Sequence, residues 1–462
     1  MKFLKKFLSL ALVLSMILGL GIFTQVAQAE EKKEEVEEKV IPEDRIEVVF
    51  WHAMTGPTQE AVTLLADKFN EAQDVYFVNE QNQGYYSDLQ QKILASARAG
   101  ELPALAQTTY TVVPEYKDED IIISLTEYVE GENGFSEEVL KDFYPAFLDS
   151  SKVGEEYFSM PFSKSTRVMF YNQDILDEYN EGKIPTTWDE VLELADKMKD
   201  SGIYAMGLEN SLSMEIETMA IQNGAEWISE DLVADMGSDK AIEAFQFIMD
   251  MINNEQARTA GEDGFMSGPF ANGASALYIG SSAGVSYVKA PAEESGINWG
   301  TAEIPTFNDT QLTQFAGNDL VIFKGLDKEV EEGAWAFIKF LLEPENTALW
   351  AMNTGYLPLR ESALEEEEYK KFLEENPEYA AATLELAYGY SSRSFVGFTK
   401  YRSNMLDKFE LVLTTGADVA ETMTELQEET QEILDEAKAA KEAEEGEAEE
   451  AGEEKKEEKE SK

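Results

Sequence analysis

The sequence predicts an α/β protein made of two lobes, and three observations predict it. Strand-like, β-branched runs alternate with amphipathic helical runs from about residue 45 to residue 436. That stretch is longer than one hydrophobic core ordinarily organises. No internal repeat divides it into smaller units.

The first strand is Ile46-Glu47-Val48-Val49-Phe50, apolar apart from one acid. A helix follows, with Pro57 suited to its first turn and Val62, Leu65, Ala66 and Phe69 recurring at helical spacing. Val75 to Val78 reads as a second strand. Ser87 with Gln90 three residues on then forms a capping box, Leu89, Ile93, Leu94 and Ala97 line one face, and Gly100 closes the helix. Pro103 to Thr109 is the next strand, and a strand–helix–strand rhythm is the α/β signature. Farther along, Thr187 and Glu190 make another capping box, with Trp188, Val191, Leu192, Ala195 and Met198 facing inward and Gly202 past the end. Ala241, Phe245, Ile248 and Met251 mark a further helix, and Val419, Met423, Leu426 and Ile433 the last one.

The two ends differ from this middle. Lys2, Lys5 and Lys6 precede an apolar run from Phe7 to about Phe23, and Ala27-Gln28-Ala29 offers small residues to a signal peptidase. A cleaved signal peptide is expected over residues 1–29, and export to the periplasm or the cell exterior with it. Residues 30–44 read as an acidic linker and residues 437–462 as an acidic disordered tail, since both are rich in Glu and Lys and lack aromatics.

Composition removes several chemistries. The chain has no cysteine and one histidine, His52, so disulfides, Cys-His catalysis and a Cys/His zinc site cannot be built. No catalytic residue, metal or cofactor is expected. With 92 acidic residues, carboxylate pairs occur at any spacing and carry little information about glycosidase chemistry. The net charge of −55 disfavours nucleic-acid binding, which needs a basic face. It suits a surface adapted to salty surroundings.

Several motifs carry a resemblance. They are Phe50-Trp51-His52, then Pro161-Phe162-Ser163-Lys164-Ser165-Thr166 leading to Phe170-Tyr171-Asn172, and Phe340-Leu341-Leu342-Glu343-Pro344-Glu345-Asn346. Thr354-Gly355-Tyr356-Leu357-Pro358 and Arg402 with Asn404-Met405 complete the set. From Ile46 to about Glu436 the chain resembles the extracellular solute-binding proteins of ABC importers, in the branch with maltose and glycerol-3-phosphate binders. The resemblance implies a two-lobed periplasmic-binding-protein fold with the ligand cleft between the lobes and closure by hinge motion. It places lobe 1 at 45–166 and 302–345 and lobe 2 at 167–301 and 346–436, with crossings near Thr166 to Tyr171, Trp299 to Ile304 and Glu343 to Trp350.

The same resemblance implies a ligand of the glycerol-3-phosphate or glycerophosphodiester class, with a neutral oligosaccharide such as a maltodextrin as the alternative. It implies a monomer that serves ABC permease subunits. Carried over position by position, the ligand site is Tyr86, Tyr110, Ser165, Ser281 or Ser282, Gly317, Tyr356 and Arg402. Tyr110 stands where the glycerol-3-phosphate binders carry a glutamate, so the non-phosphate half of the ligand is the open part. The residue types suit a phosphate dianion independently of the resemblance, because it wants fixed N–H and O–H donors and one guanidinium. Trp51, Trp227 and Trp299 are candidate stacking groups for a sugar, and His52 reads as a structural strand-end residue.

Overall fold

The computed structural model describes residues 41–210 and 212–460. The signal peptide and most of the acidic linker lie outside the described residues. Two units separate, Met1–Glu43 and Asp44–Lys462, and the second carries every element described here.

Along the chain, β1 (Ile46–His52) runs into α1 (Gly56–Ala72), which has Pro at its start and buries Val62, Leu65, Ala66 and Phe69. β2 (Tyr76–Asn82) and α2 (Tyr86–Ala99) follow. The expected Ser87–Gln90 capping box is not the one used. Helix α2 begins at Tyr86, and the Asp88 carboxylate accepts the Tyr85 backbone N–H at 3.0 Å, so the acid one residue after Ser87 closes the box. Gly100 ends the helix in the left-handed conformation, as its position predicts. Next come β3 (Leu105–Thr109), β4 (Met160–Ser165) and β5 (Arg167–Asn172). Helix α3 (Trp188–Met198) is capped by Thr187, whose oxygen accepts the Glu190 N–H at 3.2 Å. β6 (Tyr204–Leu208), α4 (Ser213–Gln222), α5 (Asp239–Asn253), β7 (Ala257–Thr259), β8 (Ser275–Ser281), α6 (Val285–Ser295) and β9 (Trp299–Ala302) continue the alternation. β10 (Thr313–Ile322), α7 (Lys328–Leu341), α8 (Pro344–Thr354), β11 (Gly389–Ser391), α9 (Phe398–Thr415) and α10 (Val419–Glu460) complete it.

These strands make two sheets. The first has the order β11-β10-β3-β1-β2, with β4 also on β10. β1 is parallel to β2 and β3, whereas β10 runs antiparallel to β3 and β4. The second has the order β9-β5-β8-β6-β7. Two lobes therefore exist, and the chain passes between them at Thr166, again over residues 303–312, and a third time over residues 355–397. The second core gathers Trp188, Val191, Phe245 and Ile248 with Met405, Phe409, Met423 and Leu426 of the last two helices.

The third crossing differs from the expected one. Pro344-Glu345-Asn346 opens helix α8 with Pro at its first turn, and α8 packs on α1 of the first lobe. Trp350, Leu357 and Leu359 share a core with Phe50 and Phe69, and β11 pairs with β10. Residues 377–384 pack instead on β5 and β9 of the second lobe, so the third passage is spread over residues 355–397 rather than set at residues 345 and 346. Helix α10 continues to Glu460, through the segment read as an acidic tail. Its Ala, Glu and Lys residues are strong helix formers and allow i,i+4 pairs of opposite charge. Among the described residues no helix is long and apolar enough to cross a membrane.

Beneath the cleft, β4 and β10 are fastened by a buried ion pair. Lys164 Nζ lies 2.5 Å from Asp319 Oδ1, and both side chains are shut off from solvent. The other Asp319 oxygen accepts from Ser151 Oγ at 2.8 Å and Ser159 Oγ at 2.6 Å. Burial lowers the Lys164 pKa and Asp319 opposes that shift.

Candidate functional site

Strand ends and the helix starts that follow them deliver the polar groups between the lobes, as α/β architecture requires. Tyr86 occupies the first turn of α2. Its ring edge reaches solvent, while its hydroxyl points inward to within 3.3 Å of the Tyr356 hydroxyl. Burial raises the pKa of both phenols, so both are neutral donors at physiological pH. Tyr356 follows Gly355, whose φ of 76° ends α8, and its ring stacks on Trp350 at 5.6 Å.

Gly317 lies in β10 opposite Lys164, with φ at 118°, just before a register shift at Asn318 and Asp319. A Cβ there would fall 1.9 Å from the Ser163 carbonyl oxygen. Glycine is thus demanded by the approach of β4 to β10, independently of any ligand. Gly317→Ala is expected to destabilise the protein by about 2–3 kcal/mol, read as a lower urea midpoint with unchanged slope.

Asn318, next to it, donates from Nδ2 to Tyr86 Oη and to Ser163 Oγ, each at 3.2 Å. Its Oδ1 is buried without a hydrogen-bond partner. Sequence reasoning missed Asn318, since a single amide inside a strand carries no local signal.

Ser165 closes β4 and is buried. Ser282 meets the crossing one residue later: its N–H donates to the Thr166 carbonyl at 2.9 Å, and its Oγ accepts the Thr166 N–H at 3.4 Å. Ser281 turns its Oγ to the Ala283 N–H at 3.3 Å, capping its own turn. Of the two serines, Ser282 is the one held at the lobe junction.

Tyr110 is buried where β3 ends, and the Lys164 ammonium stands 4.6 Å from its ring centre. Burial raises its pKa, the facing Glu217 adds to the shift, and Ser392 opposes it. Glu217 comes from α4 in the second lobe. Burial pushes its carboxyl up to about 7 against hydrogen bonds from Ser392, Gln314 and Tyr390. Ser392 Oγ is 2.7 Å from Glu217 Oε1, and Gln314 also bonds Ser392. This polar cluster joins three distant stretches of chain and had no signature in the sequence.

Arg402 lies on α9. Thr399, three residues earlier and so on the same helix face, receives a hydrogen bond from Gln90 of α2 at 3.2 Å. Arg402 is exposed to solvent, and partial desolvation beside its neighbours lowers its pKa. Among the described residues it has no ion pair and no hydrogen bond. In a chain with 92 acidic residues this is an uncommon state for an arginine.

The lobes meet on both rims of the cleft. Tyr287 of α6 donates to the Thr55 carbonyl at 2.9 Å. On the other rim, the Thr399 N–H and hydroxyl both donate to Glu115, at 2.7 and 2.6 Å. The molecule is therefore closed. His52 is buried, with Nε2 3.0 Å from Glu80 and Nδ1 accepting the Met54 N–H, a structural position. Trp227 is buried and donates to Tyr401, Trp51 bonds Gln81, and Trp299 packs on Phe170.

Comparison with known proteins agrees with this architecture. The chain is 27% identical over 356 residues to the sn-glycerol-3-phosphate-binding periplasmic protein UgpB of Yersinia enterocolitica, covering 74% of this chain and 80% of that one. Its fold is similar to UgpB of Mycobacterium tuberculosis solved with glycerophosphocholine, with a TM-score of 0.74, 22% identity and coverage of 85% of this chain and 99% of the other. It is also similar to a cyclic alpha-maltosyl-1,6-maltose binding protein of Arthrobacter globiformis, at 0.72 and 20% identity over 84% and 99%. The profile described as bacterial extracellular solute-binding protein matches residues 65–381, and the chain belongs to that family, the solute-capturing component of ABC importers.

Proposed function

We propose that the chain captures a phosphate ester of glycerol, either glycerol-3-phosphate or a glycerophosphodiester, between its lobes and hands it to ABC permease subunits as a monomer. The observation that carries this reading is Arg402, a guanidinium that has no anionic partner among the described residues and stands one helical turn from Thr399, where α9 meets Gln90 of α2. An unpaired guanidinium gains most from an anion that matches its planar fork. Tyr86, Ser165, Ser282 and Tyr356 supply neutral hydroxyl donors around the remaining phosphate oxygens, and Gly317 and Asn318 form the wall beside them. Tyr110, with Glu217, Ser392 and Gln314 opposite, takes the hydroxyl-bearing half of the ligand.

A neutral oligosaccharide is the second reading. Tyrosines at both Tyr110 and Tyr356 favour it, because an aromatic face can pack on a sugar ring. Salt separates the two. The net charge of −55 repels a phosphate ester at long range, and at about 1 M salt the screening length falls to roughly 3 Å. Affinity for sn-glycerol 3-phosphate is therefore expected to rise between 50 mM and 1 M KCl, since a desolvated Arg402 contact is screened far less than the distant carboxylates. A thermal-shift series with sn-glycerol 3-phosphate, glycerophosphocholine and maltotriose at both salts reads this out. Stabilisation by maltotriose alone, independent of salt, overturns the phosphate reading.

A further inference from the structure

All three passages between the lobes come together on one buried carboxyl. Glu385 sits in a short turn just before β11 and is fully enclosed. Its Oε1 accepts the Ile304 backbone N–H at 3.0 Å, and its Oε2 lies 2.8 Å from the Thr166 hydroxyl, a bond whose direction depends on the carboxyl's proton. Thr166 is the junction of β4 and β5, and Ile304 lies in the second crossing. Thr313, where that crossing ends, has its hydroxyl 2.8 Å from that of Thr166 and donates to the Arg167 carbonyl at 3.2 Å. Glu385 itself lies within the third passage, between residues that pack on β9 and strand β11 that pairs with β10. Two more contacts hold the same segment against the second crossing: Tyr388 donates to Glu303, and Thr301 Oγ1 donates to the Glu378 carbonyl at 2.7 Å.

We propose that Glu385 is a positioning residue for lobe closure: its carboxyl clasps the crossing strands, and gain or loss of one proton there switches the hinge between a firm and a loose state. Hydrogen-bond polarity supports this. A neutral Glu385 donates to Thr166 Oγ1, Thr166 donates to Thr313, and Thr313 donates to the Arg167 carbonyl, so every hydroxyl in the chain has a partner.

Among the described residues no cation offsets the charged form. The Arg167 guanidinium is held by Glu215, Glu303 adds a like charge, and Tyr388 is a phenol engaged by Glu303. Burial accordingly pushes the carboxyl up to about 8, against the Ile304 N–H and the Thr166 and Thr313 hydroxyls. Because the folded value is raised, the neutral clasp contributes stability that is fully present below the ordinary carboxylate value of about 4.5 and is lost as pH rises through about 8. Above that pH the ionised group gains hydration only if the crossing strands part to admit water.

The test needs no ligand, so its outcome is independent of the phosphate reading. The chain lacks cysteine, so Glu71→Cys in the first lobe and Asp250→Cys in the second give two unique labelling sites. Spin-label distance distributions are recorded from pH 6.5 to pH 9.5. A narrow distribution is expected at low pH, and a longer, broader one at high pH, with a midpoint near 8. Glu385→Gln, an amide that accepts from Ile304 and donates to Thr166, is expected to stay narrow throughout. Glu303→Gln keeps Glu385 but removes its like-charged neighbour, and is expected to move the midpoint to lower pH. A distribution that ignores pH, an unmoved midpoint in Glu303→Gln, or a Glu385→Gln protein that opens as the parent does overturns the proposal.

Discussion

Arg402→Met is expected to weaken binding of sn-glycerol 3-phosphate by about 2–5 kcal/mol, roughly a thirtyfold to several-thousandfold rise in Kd. Methionine keeps much of the apolar stem of the arginine, so the fold is preserved while the cation is lost. The size of the effect follows from desolvation. Partial desolvation already lowers the Arg402 pKa in the closed molecule, and among the described residues no carboxylate pairs with it, so a bound phosphate supplies a strong anionic partner. Arg402→Lys is expected to recover part of the loss, because it restores the charge without the planar fork. Titration calorimetry checks both variants. Affinity for maltotriose is expected to change less than tenfold, and an unchanged Kd for the ester removes Arg402 from the site.

Asp319→Ala is expected to destabilise the protein by about 3–5 kcal/mol. Among the described residues the carboxylate is the one anion on Lys164, whose ammonium is enclosed and also meets Ser150 Oγ at 3.1 Å. Removing Asp319 leaves that ammonium uncompensated in a low-dielectric interior and strips Ser151 and Ser159 of their shared acceptor. Replacing both partners, Lys164→Met with Asp319→Leu, is expected to cost clearly less than Asp319→Ala, because no charge is then stranded. Urea unfolding of the singles and the double gives the coupling energy directly. The ion pair sits between Tyr110 and the β4–β10 contact beside Gly317, so the loss of stability is expected to come with weaker ligand binding.

Much of the fold is legible in the residues because long, periodic segments leave few alternatives. Val62, Leu65, Ala66 and Phe69 mark α1, and Ala241, Phe245, Ile248 and Met251 mark α5; all are buried. Local chemistry read alone is less secure. Ser87 and Gln90 match a capping box in type and spacing, yet Asp88 is an equally good acceptor and sits where the helix begins. Pro344-Glu345-Asn346 starts a helix on the first lobe rather than a crossing, since proline at a first turn favours helix.

The site is legible only where its residues lie in recognisable motifs. Tyr86, Ser165, Gly317 and Tyr356 fall together at the lobe junction. Ser281 turns away to cap its own loop. Asn318 and Glu217 are invisible in sequence because their meaning comes from partners far along the chain. Asn318 and Tyr86 are 232 residues apart, and Ser392 and Glu217 are 175 apart. Such residues acquire a role only when two lobes close on each other.

The central claim is tested most directly by titrating the full chain with sn-glycerol 3-phosphate in 1 M KCl and following the heat. Saturable binding at one ligand per chain is the predicted result. No heat with the ester, together with saturable binding of maltotriose under the same conditions, contradicts it and makes the protein a receptor for neutral sugars.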